Sequence, residues 1–132
     1  MKAKKTPRKT KPANNSHWLP EPEKHDYPAA ESYLGLIYNQ ELAARLARRL
    51  KSARMTAFKA KDIFRASGLP LLGTENIHVQ RDHEKLAKGE KVSPLLLVRR
   101  PKIGKVIIAD GYHRLCAIYA FDEDAVVPCK IA

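Results

Sequence analysis

Apolar residues recur along the chain at helical spacing in its first half and at strand spacing in much of its second. Ala30, Tyr33, Leu34, Ile37 and Tyr38 mark one face of a helix, which is predicted to begin near Pro28 with Asp26 as its cap. Asn39 breaks that pattern. Leu42, Ala43, Leu46, Ala47, Leu50 and Ala53 then form a second stripe and predict a helix over 40–54. A third helix is expected over 56–66, capped by Thr56 and ended by Gly68.

Beyond Leu71 the rhythm shortens. Ile77-His78-Val79 reads as a short strand, and 82–88 as a short helix capped by Asp82 and stopped by Gly89. Residues 94–99 and 105–109 are apolar runs flanking the turn signal Pro101-Lys102-Ile103-Gly104, which predicts paired strands. Residues 112–121 read as a helix with Leu115, Ile118 and Tyr119 in the core. Residues 126–131 form a last strand, whose Pro128 suggests an edge or a bulge. The fold class is therefore α+β. A basic tail and linker occupies 1–27, with Trp18 and Tyr27 as anchors, and a single domain fills 28–132. Its helical part, 28–68, precedes a small mixed sheet with two helices.

Size and charge narrow the function classes. With 132 residues and 44% hydrophobic content, the chain can bury one core. No apolar run approaches the roughly 20 residues of a membrane helix, so no membrane partner is expected. The lysine-rich start is not followed by an apolar segment, which argues against a secretory signal and for a cytoplasmic protein. Cys116 and Cys129 form no zinc-type pattern, so no metal site is expected, and both read as small buried hydrophobes. Six of the eleven net positive charges fall in residues 1–16, including Lys4, Lys5 and Arg8, with no acid among them. Such a segment is expected to be disordered and is compatible either with polyanion binding or with a solubilising end. Arg45, Arg48 and Arg49 add a basic helix face, which suits a nucleic-acid surface or ordinary solvation.

The segment Val106-Ile107-Ile108-Ala109-Asp110-Gly111-Tyr112-His113-Arg114 carries the chemistry. A strand ends at Asp110 and a helix begins at once. The first amides of a helix lack intrahelical acceptors and carry the positive end of its dipole. Gly111 allows close backbone approach and permits an unusual dihedral, and His113 and Arg114 add side-chain donors. The combination suits a phosphate.

The same residues, Ile108 to Ala117, followed by Val127-Pro128-Cys129, resemble the Asp-Gly-x-x-Arg…Ala…Val-Pro signature of the ParB/sulfiredoxin-like superfamily. Val92-Ser93-Pro94-Leu95-Leu96-Leu97-Val98 resembles its Pro-Ile/Leu-x-Val strand, so the likeness spans about 71–132. That resemblance implies a ParB/sulfiredoxin-like fold and a turn that binds nucleotide phosphates, as in CTP-binding partition domains, ATP-using sulfiredoxins and free-serine kinases. Carried over, Asp110, Gly111, Tyr112, His113 and Arg114 form the phosphate turn, and His83 and Lys85 border its cleft. Tyr112 stands where sulfiredoxins have their reactive cysteine, so sulfinic-acid reduction is not expected. The helix-turn-helix domain of partition proteins is missing, so a full partition protein is not expected either.

The resemblance thus implies a nucleotide of ATP or CTP type, with Mg²⁺, as cofactor, and a nucleotide-dependent switch or a phosphotransferase as activity. A phosphotransferase needs a general base and a metal-binding acid near the phosphate. Asp110, Asp82 and Glu84 are available, but each also reads as a cap or a surface charge, and no reaction or catalytic residue is fixed. The alternative is a DNA- or RNA-binding accessory protein using Lys4, Lys5, Arg8, Arg45, Arg48 and Arg49. The sequence does not give the oligomeric state.

Overall fold

The computed structural model describes residues 17–132. Its elements run α1 (Asp26–Ile37), α2 (Gln40–Ser52), β1 (Thr56–Lys59), α3 (Ala60–Ser67), α4 (Ile77–Ala87), β2 (Leu95–Arg100), β3 (Lys105–Asp110), α5 (Tyr112–Phe121) and β4 (Val126–Ile131). The class is α+β, with five helices and a four-stranded mixed sheet of order β1-β4-β2-β3. β4 runs parallel to β2, and both outer pairs are antiparallel.

The unbroken apolar run of β2 follows from its place in the sheet. Leu95 and Leu97 face α3, α4 and α5 in a cluster with Ile108, Leu115, Ile118 and Val127. Leu96 and Val98 face the other way, against Leu34, Leu46 and Leu50 of α1 and α2. With both faces covered, there is no polar side to alternate with. Each fully buried leucine contributes about 2 kcal/mol, so α1 and α2 form a second, smaller core on the far face of the sheet.

Several expectations required correction. Thr56 does not cap a helix: residues 56–59 pair antiparallel with β4 as an edge strand. α3 starts at Ala60, where the Ala60 and Lys61 amides donate to the carbonyls of Ala125 and Glu123. Tertiary pairing here overrides helix propensity. Ile77-His78-Val79 is not a strand but the first turn of α4, because the Asn76 side chain accepts from the His78 and Val79 amides. Asp82 therefore lies within α4 and is not its cap.

Asp26 is likewise the first helical residue of α1, buried, with its Oδ2 accepting from the Glu23 amide. The buried stripe of α1 is narrower than expected: Ala30 and Leu34 are buried, whereas Tyr33 and Ile37 are 43% and 40% exposed. Pro128 lies on an interior strand, yet β4 meets β2 only from Cys129 onward, so Pro128 is flanked by β1 alone. That local edge accommodates its missing amide hydrogen.

The segment before α1 is held to the domain. Trp18 is buried and bridges to Val92, with Leu19 N–H donating to the Val92 carbonyl and Val92 N–H to that of His17. Tyr27 packs partly buried beside α2, under the buried ammonium of Lys130. Both cysteines are buried, and burial pushes their thiols up, Cys129 to about 12. No helix among the described residues is long and apolar enough to cross a membrane.

Candidate functional site: a cleft between two helices

β3 delivers the chain to the site through a bulge. Leu97 pairs with Ile108 but Leu96 with Asp110, so Ala109 is an extra residue that turns the strand end. Gly111 follows with φ of 111°, and α5 begins at Tyr112. No side chain caps α5; its first amides open on a cleft of about 290 Å³ whose opposite wall is α4.

Gly111 adopts the unusual dihedral expected of it, and packing inside the protein adds a second demand. A Cβ at this position would lie 2.8 Å from Leu95 Cγ and 3.0 Å from Arg114 Nη2. Glycine is thus required by the positive φ and by packing against the protein.

Arg114 is also committed internally. Its Nε donates to the Ser93 carbonyl at 2.9 Å, and its Nη2 donates to the Pro94 carbonyl at 3.3 Å and to Asp110 Oδ2 at 2.9 Å. The guanidinium ties the end of β3 to the start of β2. Burial pushes the Asp110 carboxyl above its ordinary value, outweighing the attraction of Arg114. Tyr112 donates its hydroxyl to the Pro70 carbonyl, which fixes the loop before α4.

The other wall is built by α4. His78, Arg81 and Lys85 recur at helical spacing and line the cleft with Asp82 between them. The His78 and His113 rings stand 4.9 Å apart. Burial, then the neighbouring His78, hold His113 below its usual value, against the pull of Asp82. At neutral pH His113 therefore offers a neutral imidazole rather than a fixed cation.

Of the expected phosphate residues, Asp110, Gly111, Tyr112, His113, Arg114 and Lys85 line one cleft. His83 does not: its ring stacks on Phe121 at 4.3 Å, on another side of α4. His78 and Arg81 were missed, because reading 77–79 as a strand hid the helical spacing that joins them to Lys85. Asn76 was the available signal. Arg45, Arg48 and Arg49 are exposed on α2, whereas Lys4, Lys5 and Arg8 lie outside the described residues.

Among the described residues one group brings three metal-ligand types within 4.8 Å of one another: Glu23, His25 and Asp26. Hydrogen bonds already organise that loop, since Ser93 Oγ donates to Glu23 Oε1 and the Glu23 amide to Asp26. The acidic turn at 122–124 is an exposed structural feature in which Asp124 pairs with Lys61 at 2.7 Å. Comparison of the chain with protein-family models, curated proteins and solved structures gives no match.

Proposed function

We propose that the cleft between α4 and α5 binds the phosphate groups of a nucleotide. One observation carries the reading: the uncapped start of α5 faces a second wall that presents Arg81 and Lys85, neither of them held in an ion pair among the described residues. Backbone amides, helix dipole and two mobile cations converge on one space, as phosphate recognition requires. The resemblance of 108–117 to the nucleotide-binding ParB/sulfiredoxin-like turn supports the same reading. Arg114 and Asp110 then shape the turn, while Arg81, Lys85 and the α5 amides hold the ligand. Mg²⁺ would enter on the nucleotide's phosphates. Within the cleft, Asp82, His78 and His113 are groups able to accept a proton, which is what a phosphotransferase reading needs.

The test is thermal stabilisation by ATP, ADP, CTP and GTP with Mg²⁺, in the full chain and in a chain lacking residues 1–16. One nucleotide is expected to stabilise both, and the shift is expected to vanish in Arg81→Ala/Lys85→Ala. No shift with any nucleotide, or a shift that survives the double substitution, removes the reading.

A second reading, nucleic-acid binding, draws on α2. Arg45, Arg48 and Arg49 are exposed there, and none forms an ion pair among the described residues. It predicts DNA or RNA binding that weakens steeply with salt and falls when these arginines are neutralised. Absent or salt-independent binding counts against it.

A further inference from the structure

Three cations and two carboxylates face the cleft, but they are not equally free. Arg114 and Asp110 are bonded to each other, which leaves Arg81 and Lys85 of α4 opposed by Asp82 of the same helix. Tyr112, the remaining titratable group of α5 there, has its hydroxyl bonded to Pro70. One net positive charge therefore awaits a ligand. A phosphodiester, carrying a single negative charge, would match it. A terminal phosphate carries two and leaves one unbalanced. The groups positioned to offset it are His78 from α4 and His113 from α5, whose rings lie 4.9 Å apart at the same cleft.

We infer that a doubly charged terminal phosphate monoester entering the cleft draws a proton onto the His78–His113 pair, which offsets the charge that Arg81 and Lys85 leave unbalanced. This rests on the phosphate-site reading above and deepens it. Burial and then His78 hold His113 below its ordinary value, which disfavours its proton near neutral pH. A dianion beside the pair reverses that balance, because an opposite charge within a few ångströms favours the charged imidazole. A ligand that prefers the protonated pair tenfold moves the imidazole titration up by about one pH unit, and its own affinity changes tenfold across that range. The proton resides on one ring at a time, since two adjacent imidazolium ions repel.

The experiment follows the histidine ring signals by NMR in the full chain at constant ionic strength. Sulfate serves as a dianion whose charge does not change between about pH 5.5 and pH 8, so any pH dependence belongs to the protein. Sulfate is expected to bind about tenfold more tightly at the lower pH and to move the titration of His113 upward. The pH dependence should disappear in His78→Asn/His113→Asn. The single His78→Asn variant, at an exposed position, should weaken it even if the double variant folds poorly. At neutral pH phenyl phosphate should bind as sulfate does, whereas dimethyl phosphate, whose single charge the cleft already balances, should bind with little pH dependence over the same range.

Sulfate affinity that is flat with pH, or pH dependence that persists without the histidines, overturns the proton coupling while the phosphate site stands. A pH dependence as steep for the phosphodiester as for sulfate overturns the link between the proton and the ligand's second charge. Failure of sulfate and both phosphate esters to bind at either pH removes the phosphate site itself, and this inference with it.

Discussion

The two walls of the cleft hold similar residues under opposite conditions. On the α5 side, Arg114 and Asp110 are mostly buried, 18% exposed each, and bonded to one another and to the carbonyls of Ser93 and Pro94. On the α4 side, Arg81 and Lys85 stand exposed with no carboxylate in salt-bridge reach among the described residues. An arginine whose donors are used inside the protein holds a turn in shape. A cation with open donors is able to exchange water for a ligand. The glycine-led turn that stands out in the sequence is thus internally bonded, and the less conspicuous helix carries the cations that the proposed phosphate site would use.

Substitutions should separate the two walls by what they damage. Gly111→Ala should have the largest effect, a loss of about 3 kcal/mol, because alanine at that φ is strained and its methyl group meets Leu95. Thermal or urea unfolding measures it directly. Arg114→Ala should follow with about 2 kcal/mol, as it leaves Asp110 and two carbonyls without their donor. A stability change below about 0.5 kcal/mol for Arg114→Ala would place that residue with the ligand-binding wall instead. Arg81→Ala and Lys85→Ala should alter stability by less than about 0.5 kcal/mol, since each is exposed and unpaired.

The smallest effect concerns pH. His113 titrates lower in the folded chain than its ordinary 6.5, so the unfolded chain binds its proton more readily. Its contribution to stability is therefore full above about pH 6.5 and declines as pH falls through the folded value. In the absence of anions, His113→Asn should lose less stability than the natural chain between about pH 6.5 and pH 5, which parallel melting curves can check. A steeper loss in the variant would contradict the assigned direction.

What the sequence disclosed follows the same division. β2, β3 and α5 were legible because their signals are local: an apolar run, a Pro-Lys-Ile-Gly turn and a helix opened by glycine. The class, α+β, follows from those elements together with the α2 stripe. β1 was not legible, because Thr56-Ala57-Phe58-Lys59 becomes a strand only by pairing with β4, some 70 residues later. The start of α4 was hidden by Ile77 and Val79, whose branched side chains favour strands, while the deciding hydrogen bonds come from the single cap Asn76. That one boundary concealed half of the α4 wall, since His78 and Arg81 align with Lys85 only on a helix begun there. Arg114 was legible as important but not as internal. Its partners Ser93 and Pro94 lie about 20 residues upstream and meet it only after β2 and β3 have paired.

The most direct test of the account compares nucleotide affinity, by calorimetry, in the natural chain and in Arg81→Ala/Lys85→Ala. The account predicts that the double variant melts within about 0.5 kcal/mol of the natural chain yet binds at least about tenfold more weakly, with two charge-assisted contacts removed. Unchanged affinity in the double variant, or no nucleotide binding by the natural chain, would contradict it.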